Sequence, residues 1–384
     1  MSTQVSRNAG LYIHVPFCSA VCPYCDFAVT TGDRAARLGF VEALLREIEL
    51  YADFPLVFDT VYFGGGTPSS LKADDLDRIL AALHRHLQVD EDAWLLLEAN
   101  PEDVTADLCS RWRALGVRTL SLGVQSFDDE ELRFLGRRHD GTGAQRSVQV
   151  ALDAGFQTVS VDLMYGLPKQ TLNTWDAAVG VLERLRPQHV SSYQLDVADG
   201  TPFGRLRDDG RLVERSEDVQ ATVFEHVHQS LRKAGYSAYE VSNFARDPEH
   251  RSPHNQKYWC HTPYLGLGPS AHSYHEAERW WNARDVGGWQ ERVGKGVRPV
   301  AGREHLTPEQ FALEALLLGL RTVEGVSAEE FYRRHGIDLV EANHELIEAS
   351  VHAGHLRQEG GRLRPTVQGL AVADALAAKF ELPR

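Results

Sequence analysis

LYIHVPFCSAVCPYCDF, residues 11–27, sets three cysteines, Cys18, Cys22 and Cys25, in the spacing C-x3-C-x2-C. The run Leu11 to Val15 is apolar and rich in β-branched and aromatic residues, so it reads as a strand that Pro16 ends. The cysteines therefore fall on the loop that follows, and a loop can wrap three thiolates around one small object. Three close cysteines with no adjacent fourth Cys or His suit an iron–sulfur cube with one iron left open better than structural zinc, which wants four closed ligands. Structural zinc completed by a distant residue such as His14, or simply buried thiols, are the alternatives on spacing alone.

Outward from this loop, the first two thirds of the chain alternate short apolar runs with amphipathic helical stretches, the pattern of a parallel α/β sheet or barrel. Six such units can be counted. Helical spacing covers 33–51, about 72–87, 105–115, two stretches between 126 and 156, 171–185 and 216–234. The strands between them are LVFDTVYF (56–63), WLLLEAN (94–100), VRTLSLGVQ (117–125), QTVSVDLMYG (157–166) and HVSSYQLDV (189–197). In such barrels active sites gather where strands give way to loops. Gly64, Gly65, Gly66 and Thr67 follow the second strand, where bare backbone can approach a ligand or simply turn tightly into the next helix. Glu98, Gln125 and Asp162 are polar residues set in apolar runs at strand ends, a placement that is costly without partners. Arg137, in LGRRH, adds a cation able to pair with a carboxylate.

With 384 residues and 43% hydrophobic content the chain can bury sizeable cores over two or three domains. A formal charge of -14 and the lack of a basic stripe argue against nucleic acid as partner. The polar start MSTQVSRNAG lacks an apolar signal core, and no run approaches the ~20 apolar residues of a membrane span, so a cytoplasmic protein is expected, with peripheral membrane association left open. Five cysteines, three of them clustered, do not make a disulfide framework, and Cys109 reads as an ordinary helix residue.

The cysteine spacing, with Tyr12 ahead of Cys18 and Tyr24 just before Cys25, resembles the cluster loop of the radical S-adenosylmethionine (SAM) superfamily. YIHVPFC, CPYCDF, GGGTP, DLMYGLPKQT, SYQLD and GLGPSAHS are similar to the oxygen-independent coproporphyrinogen III oxidase family over roughly residues 10–380. The resemblance implies that Cys18, Cys22 and Cys25 hold a [4Fe–4S] cluster whose fourth iron is chelated by SAM. It further implies that Tyr12, Tyr24, Gly65, Gly66, Thr67, Glu98, Gln125, Arg137 and Asp162 line the SAM site, and that an electron donor such as a flavodoxin or ferredoxin reduces the cluster.

Two departures point away from the oxidase. That branch carries a fourth cysteine two residues past the third, where this chain has Phe27, and it has a longer N-terminal extension, whereas this chain begins eleven residues before Tyr12. RSPHNQKYWC (251–260) contains H-N-x-x-Y-W, which resembles the signature of the HemW branch, a heme chaperone. His254 offers imidazole to iron, and Tyr258 and Trp259 offer flat faces to a porphyrin. His254 is assigned to heme by that resemblance, with Cys260 and His261 as other candidate iron ligands.

From about residue 306 three helical stretches, at 306–325, 327–335 and 339–353, precede a hairpin, HLRQE and RLRPT around Gly360 and Gly361, and a last helix from 368. The expected architecture is α/β: a partial (β/α)6 TIM-like radical SAM barrel over 1–241, a linker and porphyrin-facing segment over 242–305, and a small helical, winged-helix-like domain over 306–384. The expected function is a heme chaperone that passes heme to an acceptor protein and carries a SAM-liganded cluster. The alternatives are oxidative decarboxylation of coproporphyrinogen III, or radical chemistry on another substrate.

Overall fold

The computed structural model describes residues 8–383. The polar start expected to lack a signal core lies mostly outside the described residues. Six strands, β1 (Ala9–Val15), β2 (Val57–Gly65), β3 (Gln88–Ala99), β4 (Val117–Gln125), β5 (Thr158–Tyr165) and β6 (His189–Gln194), pair in parallel in chain order. Between them run α1 (Arg34–Leu50), α2 (Ala73–His86), α3 (Ala106–Ala114), α4 (Asp129–Phe134), α5 (Gly141–Asp153) and α6 (Leu172–Leu185). After β6 come α7 (Pro202–Asp208) and α8 (Glu217–Lys233), which completes the expected (β/α)6 unit. Strands covered on both faces are apolar nearly throughout: in β1 every residue but Tyr12 is buried. Helix ends fall where capping side chains stand, as with Asp33, whose carboxylate accepts from the Ala36 amide, and Thr105, which accepts from that of Leu108.

The segment 242–305, expected as a linker, is instead woven into the same sheet. After β7 (Ser237–Ala238), it contributes β8 (Asn243–Ala245), β9 (Tyr264–Leu267), β10 (His272–His275), β11 (Glu278–Asn282) and β12 (Val300–His305), with α9 (Pro253–Trp259) and α10 (Val286–Gly294) between them. The complete order is β12-β11-β10-β9-β1-β2-β3-β4-β5-β6-β8-β7, so β1, whose end carries the cysteine loop, is an interior strand paired on both edges. Glu47, fully buried on α1, fastens this extension to the barrel. Its carboxyl accepts from the Gly268 amide (2.8 Å), the Asn282 side chain (2.7 Å) and the Trp289 indole (3.0 Å). Burial pushes its pKa up to about 7.

The C-terminal part follows the expected pattern, with α11 (Pro308–Leu320), α12 (Ala328–His335) and a small sheet of Val326–Ser327, Leu356–Glu359 and Arg362–Pro365. Gly360 and Gly361, at φ 58° and 74°, supply the two left-handed residues of the hairpin turn. The helix expected over 339–353 breaks at Asn343, whose side-chain amide donates to the Leu339 and Glu381 carbonyls. Ala312, Leu316, Leu320, Phe331, Ile347 and Leu363 form a separate core. No helix among the described residues is long and apolar enough to cross a membrane.

Candidate cluster and SAM site

Past Pro16 the backbone pairs Phe17–Cys18 with Thr30–Thr31, pinching off the loop that carries the cysteines. Cys18, Cys22 and Cys25 are free and partly exposed. They border a cavity of about 360 Å³ whose other walls include Tyr24, Gly65, Gly66, Thr67, Glu98, Gln125, Arg137 and Asp162. Eleven of the thirteen residues expected from the sequence thus meet at one place; Tyr12 and His254 do not line it.

The donor set fits an iron–sulfur cluster better than zinc. His14, the distant ligand that zinc would need, is committed: Nε2 faces the Ala28 carbonyl at 2.9 Å and Nδ1 faces the Tyr12 hydroxyl at 3.2 Å. Burial raises the Cys18 pKa, and raises that of Cys25 to about 11, so bound iron must displace their protons. The Thr67 hydroxyl, 3.6 Å from the Cys18 sulfur, and the Arg137 cation offset part of this at Cys18.

The glycine run is required by sterics on the loop side. Gly65 has φ 109°, and a Cβ there would stand 2.6 Å from Nδ1 of His14. A Cβ on Gly66 would sit 2.8 Å from the Phe17 carbonyl and 3.0 Å from the Cys18 sulfur. Tight turn and close approach, alternatives on sequence, are here the same fact.

Glu98 accepts from the Tyr62 hydroxyl (2.7 Å) and the Gly65 amide (3.2 Å). Burial pushes its pKa up to about 7, with the Asp162 charge adding to the effect. Burial likewise carries Asp162 up to about 6, although the Ser121 hydroxyl donates to it at 3.0 Å. The two buried carboxyls form an acidic wall suited to a cationic ligand group. Gln125 reaches the cavity from a strand end with φ 70°, just past an irregularity in the β4–β5 pairing. Arg137 is held by the Asn100 side chain and the Gly123 carbonyl, both at 2.7 Å, and its other nitrogen lies 3.5 Å from the Cys22 sulfur. Asn100 also donates to Thr67 at 3.1 Å, which makes it the joint between cation and glycine run. Sequence reasoning missed Asn100, although it ends the WLLLEAN strand two residues after Glu98. Tyr62 and Tyr193 were missed as well: Tyr62 sits in an apolar run and Tyr193 between Ser192 and Gln194, and neither carries a signal apart from its neighbours in space.

The residue expected to face heme iron, His254, is instead buried beneath β1 and β2, 1% exposed. Its Nδ1 meets the Thr60 hydroxyl at 2.8 Å and its Nε2 the Tyr258 hydroxyl at 2.9 Å. Burial lowers its pKa to about 3, so the ring is neutral and both nitrogens are engaged. On the same helix Lys257 pairs with Asp59 at 2.6 Å, so α9 presents a fastening face to the sheet. His261 is clamped between Phe311 and Tyr274, with Nε2 3.1 Å from Glu314, while Cys260 is exposed at a groove against the C-terminal part.

Residues 12–182 match the radical SAM superfamily and residues 306–372 the HemN C-terminal domain. The former span runs from β1 into α6. Over 376 residues the chain is 36% identical to heme chaperone HemW of Mycobacterium tuberculosis, covering 96% of this chain and 93% of that protein. This chain belongs to the HemW family. It is also 34% identical over 325 residues to heme chaperone HemW of Synechocystis, covering 82% of this chain and 78% of that one. Its fold matches that of coproporphyrinogen III oxidase (HemN) of Escherichia coli, a radical SAM enzyme, with a TM-score of 0.84 at 21% identity over 98% of this chain and 91% of that chain. The radical SAM domain of this HemW family member implies a [4Fe–4S] cluster and SAM, and the three thiols beside an acidic, glycine-floored cavity have the donors that such a pair requires.

Proposed function

We propose that this chain is a cytoplasmic heme chaperone, binding heme and passing it to an acceptor protein. In this reading Cys18, Cys22 and Cys25 hold the cluster. SAM lies on the open iron beside Gly65, Gly66, Thr67, Glu98, Gln125, Arg137 and Asp162, and a flavodoxin or ferredoxin supplies electrons. The names of the HemW relatives support the reading, and one observation in this chain carries it. Where the resembled oxidase branch has a further cysteine, Phe27 stands 64% exposed between the cysteine cavity and the next cavity along the loop. An exposed aromatic ring beside an open cavity suits a flat apolar cargo. The motifs shared with the oxidase family support its reaction as the second reading, and one experiment separates them. After anaerobic reconstitution the protein is titrated with heme and, separately, given coproporphyrinogen III, SAM and a reduced flavodoxin. About one heme bound per chain and no decarboxylation is the expected result. Turnover of the porphyrinogen would replace the chaperone reading by the oxidase.

A further inference from the structure

The interior of a parallel α/β barrel is ordinarily packed with branched apolar side chains. Here it is polar along its length. Thr119, Ser121, Thr158, Ser160 and Ser191 put five hydroxyl-bearing residues around a narrow chamber of about 40 Å³, and Leu96 and Leu97 are its aliphatic lining. That volume has room for about three waters. Glu98, Asp162 and Tyr193 border both this chamber and the cluster and SAM cavity, so the chamber begins at the acidic wall. At its other end, between β8 and α9, stands His250, whose side chain is 14% exposed. Its Nδ1 meets the Thr158 hydroxyl at 3.0 Å, and its Nε2 lies 3.6 Å from the carboxylate of the exposed Glu249.

A hydroxyl can accept a proton on a lone pair while giving up its own, so a line of hydroxyls and water moves a proton without any member staying charged. Such a line can be followed here. At the inner end the Ser121 hydroxyl donates to Asp162 at 3.0 Å, the hydroxyls of Ser160 and Ser191 also face that carboxyl, and the two serines are 3.5 Å apart. Glu98 from β3, Tyr193 from β6 and the Arg137 cation are the other titratable or charged groups around Asp162. Thr158 lies two residues from Ser160 on the same face of β5, roughly 7 Å away, a span that one water in the chamber bridges. From Thr158 the line reaches His250. A side branch through His189 is closed, because its nitrogens meet Ser160 and the buried Tyr239 hydroxyl, both at 2.8 Å. Burial lowers the pKa of that ring to about 3, so it does not hold a proton on the way.

The acidic wall has a use for this line. When a cationic group of SAM settles against the wall, a carboxyl that held a proton gives it up, and the ligand fills the cavity through which the proton would otherwise leave. Resting on the reading that SAM lies beside Glu98 and Asp162, we propose that the barrel interior is a water-filled proton path from this carboxyl pair to the surface, with His250 as its outer port. On binding, the O–H bond of the carboxylic acid breaks, the carboxylate stays as partner of the cation, and one proton appears in bulk water beyond His250. On release of SAM the same line returns it.

The test mixes the full, cluster-reconstituted chain with SAM in weak buffer near neutral pH by stopped flow. A pH-indicating dye follows the released proton, and the cluster absorbance follows binding. In wild type the two traces should rise together. His250→Phe closes the port and should slow the dye trace about a hundredfold or more, the scale of a positioned proton-transfer group, with the affinity for SAM and the number of protons released unchanged. His250→Ala should show the same lag and lose it when imidazole is added, an outcome that a merely structural role would not produce. Thr158→Val, which keeps the shape and removes the hydroxyl, should lag with His250 still in place. Coincident traces in both His250→Phe and Thr158→Val would overturn the path and leave the SAM site standing, as would a wild type that binds SAM without releasing a proton. A wild type that binds no SAM would remove the reading beneath the proposal, and the proposal with it.

Discussion

Replacing Glu98 by Gln should reverse its effect on stability between acid and mildly alkaline solution. In the folded protein without SAM, burial raises this carboxyl from 4.5 to about 7. The folded state therefore holds a proton that the unfolded chain has given up between those values. The associated stability is complete below pH 4.5 and is lost as pH rises to about 7. At ~1.4 kcal/mol for each tenfold step, the loss is about 3 kcal/mol. The substituted amide is neutral throughout, so the variant avoids that loss. It keeps the Tyr62 hydroxyl bond through its oxygen but turns its NH2 group toward the Gly65 N–H, which costs about 1 kcal/mol. The variant should be about 1 kcal/mol less stable than the parent at pH 4.5 and about 2 kcal/mol more stable at pH 8. Urea midpoints at both pH values, on SAM-free samples of equal cluster content, measure the crossover. A cationic group of SAM set against Glu98 should also expel its proton near neutral pH, which makes the heat of SAM binding depend on the buffer in the parent and not in the variant. Parallel stability profiles, or a variant weaker than the parent at pH 8, would refute the assignment of a costly buried charge to Glu98.

Single replacements of Cys18, Cys22 or Cys25 by Ala should abolish the visible absorbance and iron content of the cluster, whereas Cys109→Ala, in the fully buried side of α3, and Cys260→Ala should leave both unchanged. Gly65→Ala combines a positive φ with a 2.6 Å approach to His14 and should lower global stability by about 2–5 kcal/mol, read by chemical unfolding. Gly66→Ala presses on the Phe17 carbonyl and the Cys18 sulfur, so its loss should appear in the yield of reconstituted cluster more than in secondary structure by circular dichroism.

The parallel strands were legible because both faces are covered, which leaves runs such as VRTLSLGVQ apolar enough to stand out, and β4 spans those same residues. The strands of 242–305 were not, since ERWWN and HSYH are short, carry charges and histidines, and are defined by neighbours far away in the chain rather than by alternation. At the site, polar residues at strand ends could be found because burial makes each conspicuous. Asn100 and Tyr62 could not be singled out, because their importance lies in bonds to Arg137 and Glu98. For His254 the sequence shows an imidazole but not which way its helix faces, and the structure buries the ring with both nitrogens engaged. His254 and Tyr258, one helical turn apart on α9, bond to each other. The cavity past Phe27 draws on residues from 12 to 284 and has no signature in any one stretch.

The interior position of β1 has a consequence for how this chain is made. One of its edges finds β2 soon, but the other pairs with Tyr264–Leu267, which leave the ribosome only after roughly 250 further residues, about 10–50 s later at ~5–20 residues per second. Throughout that interval an apolar strand shows a row of free backbone donors and acceptors, an open template for any other nascent strand. The cysteine loop at its end is synthesised early yet acquires its backing late, since Gly268 packs against the His14 carbonyl from the far side. Until Gly268 is in place the loop that carries the three thiols therefore lacks the backing it has in the folded chain.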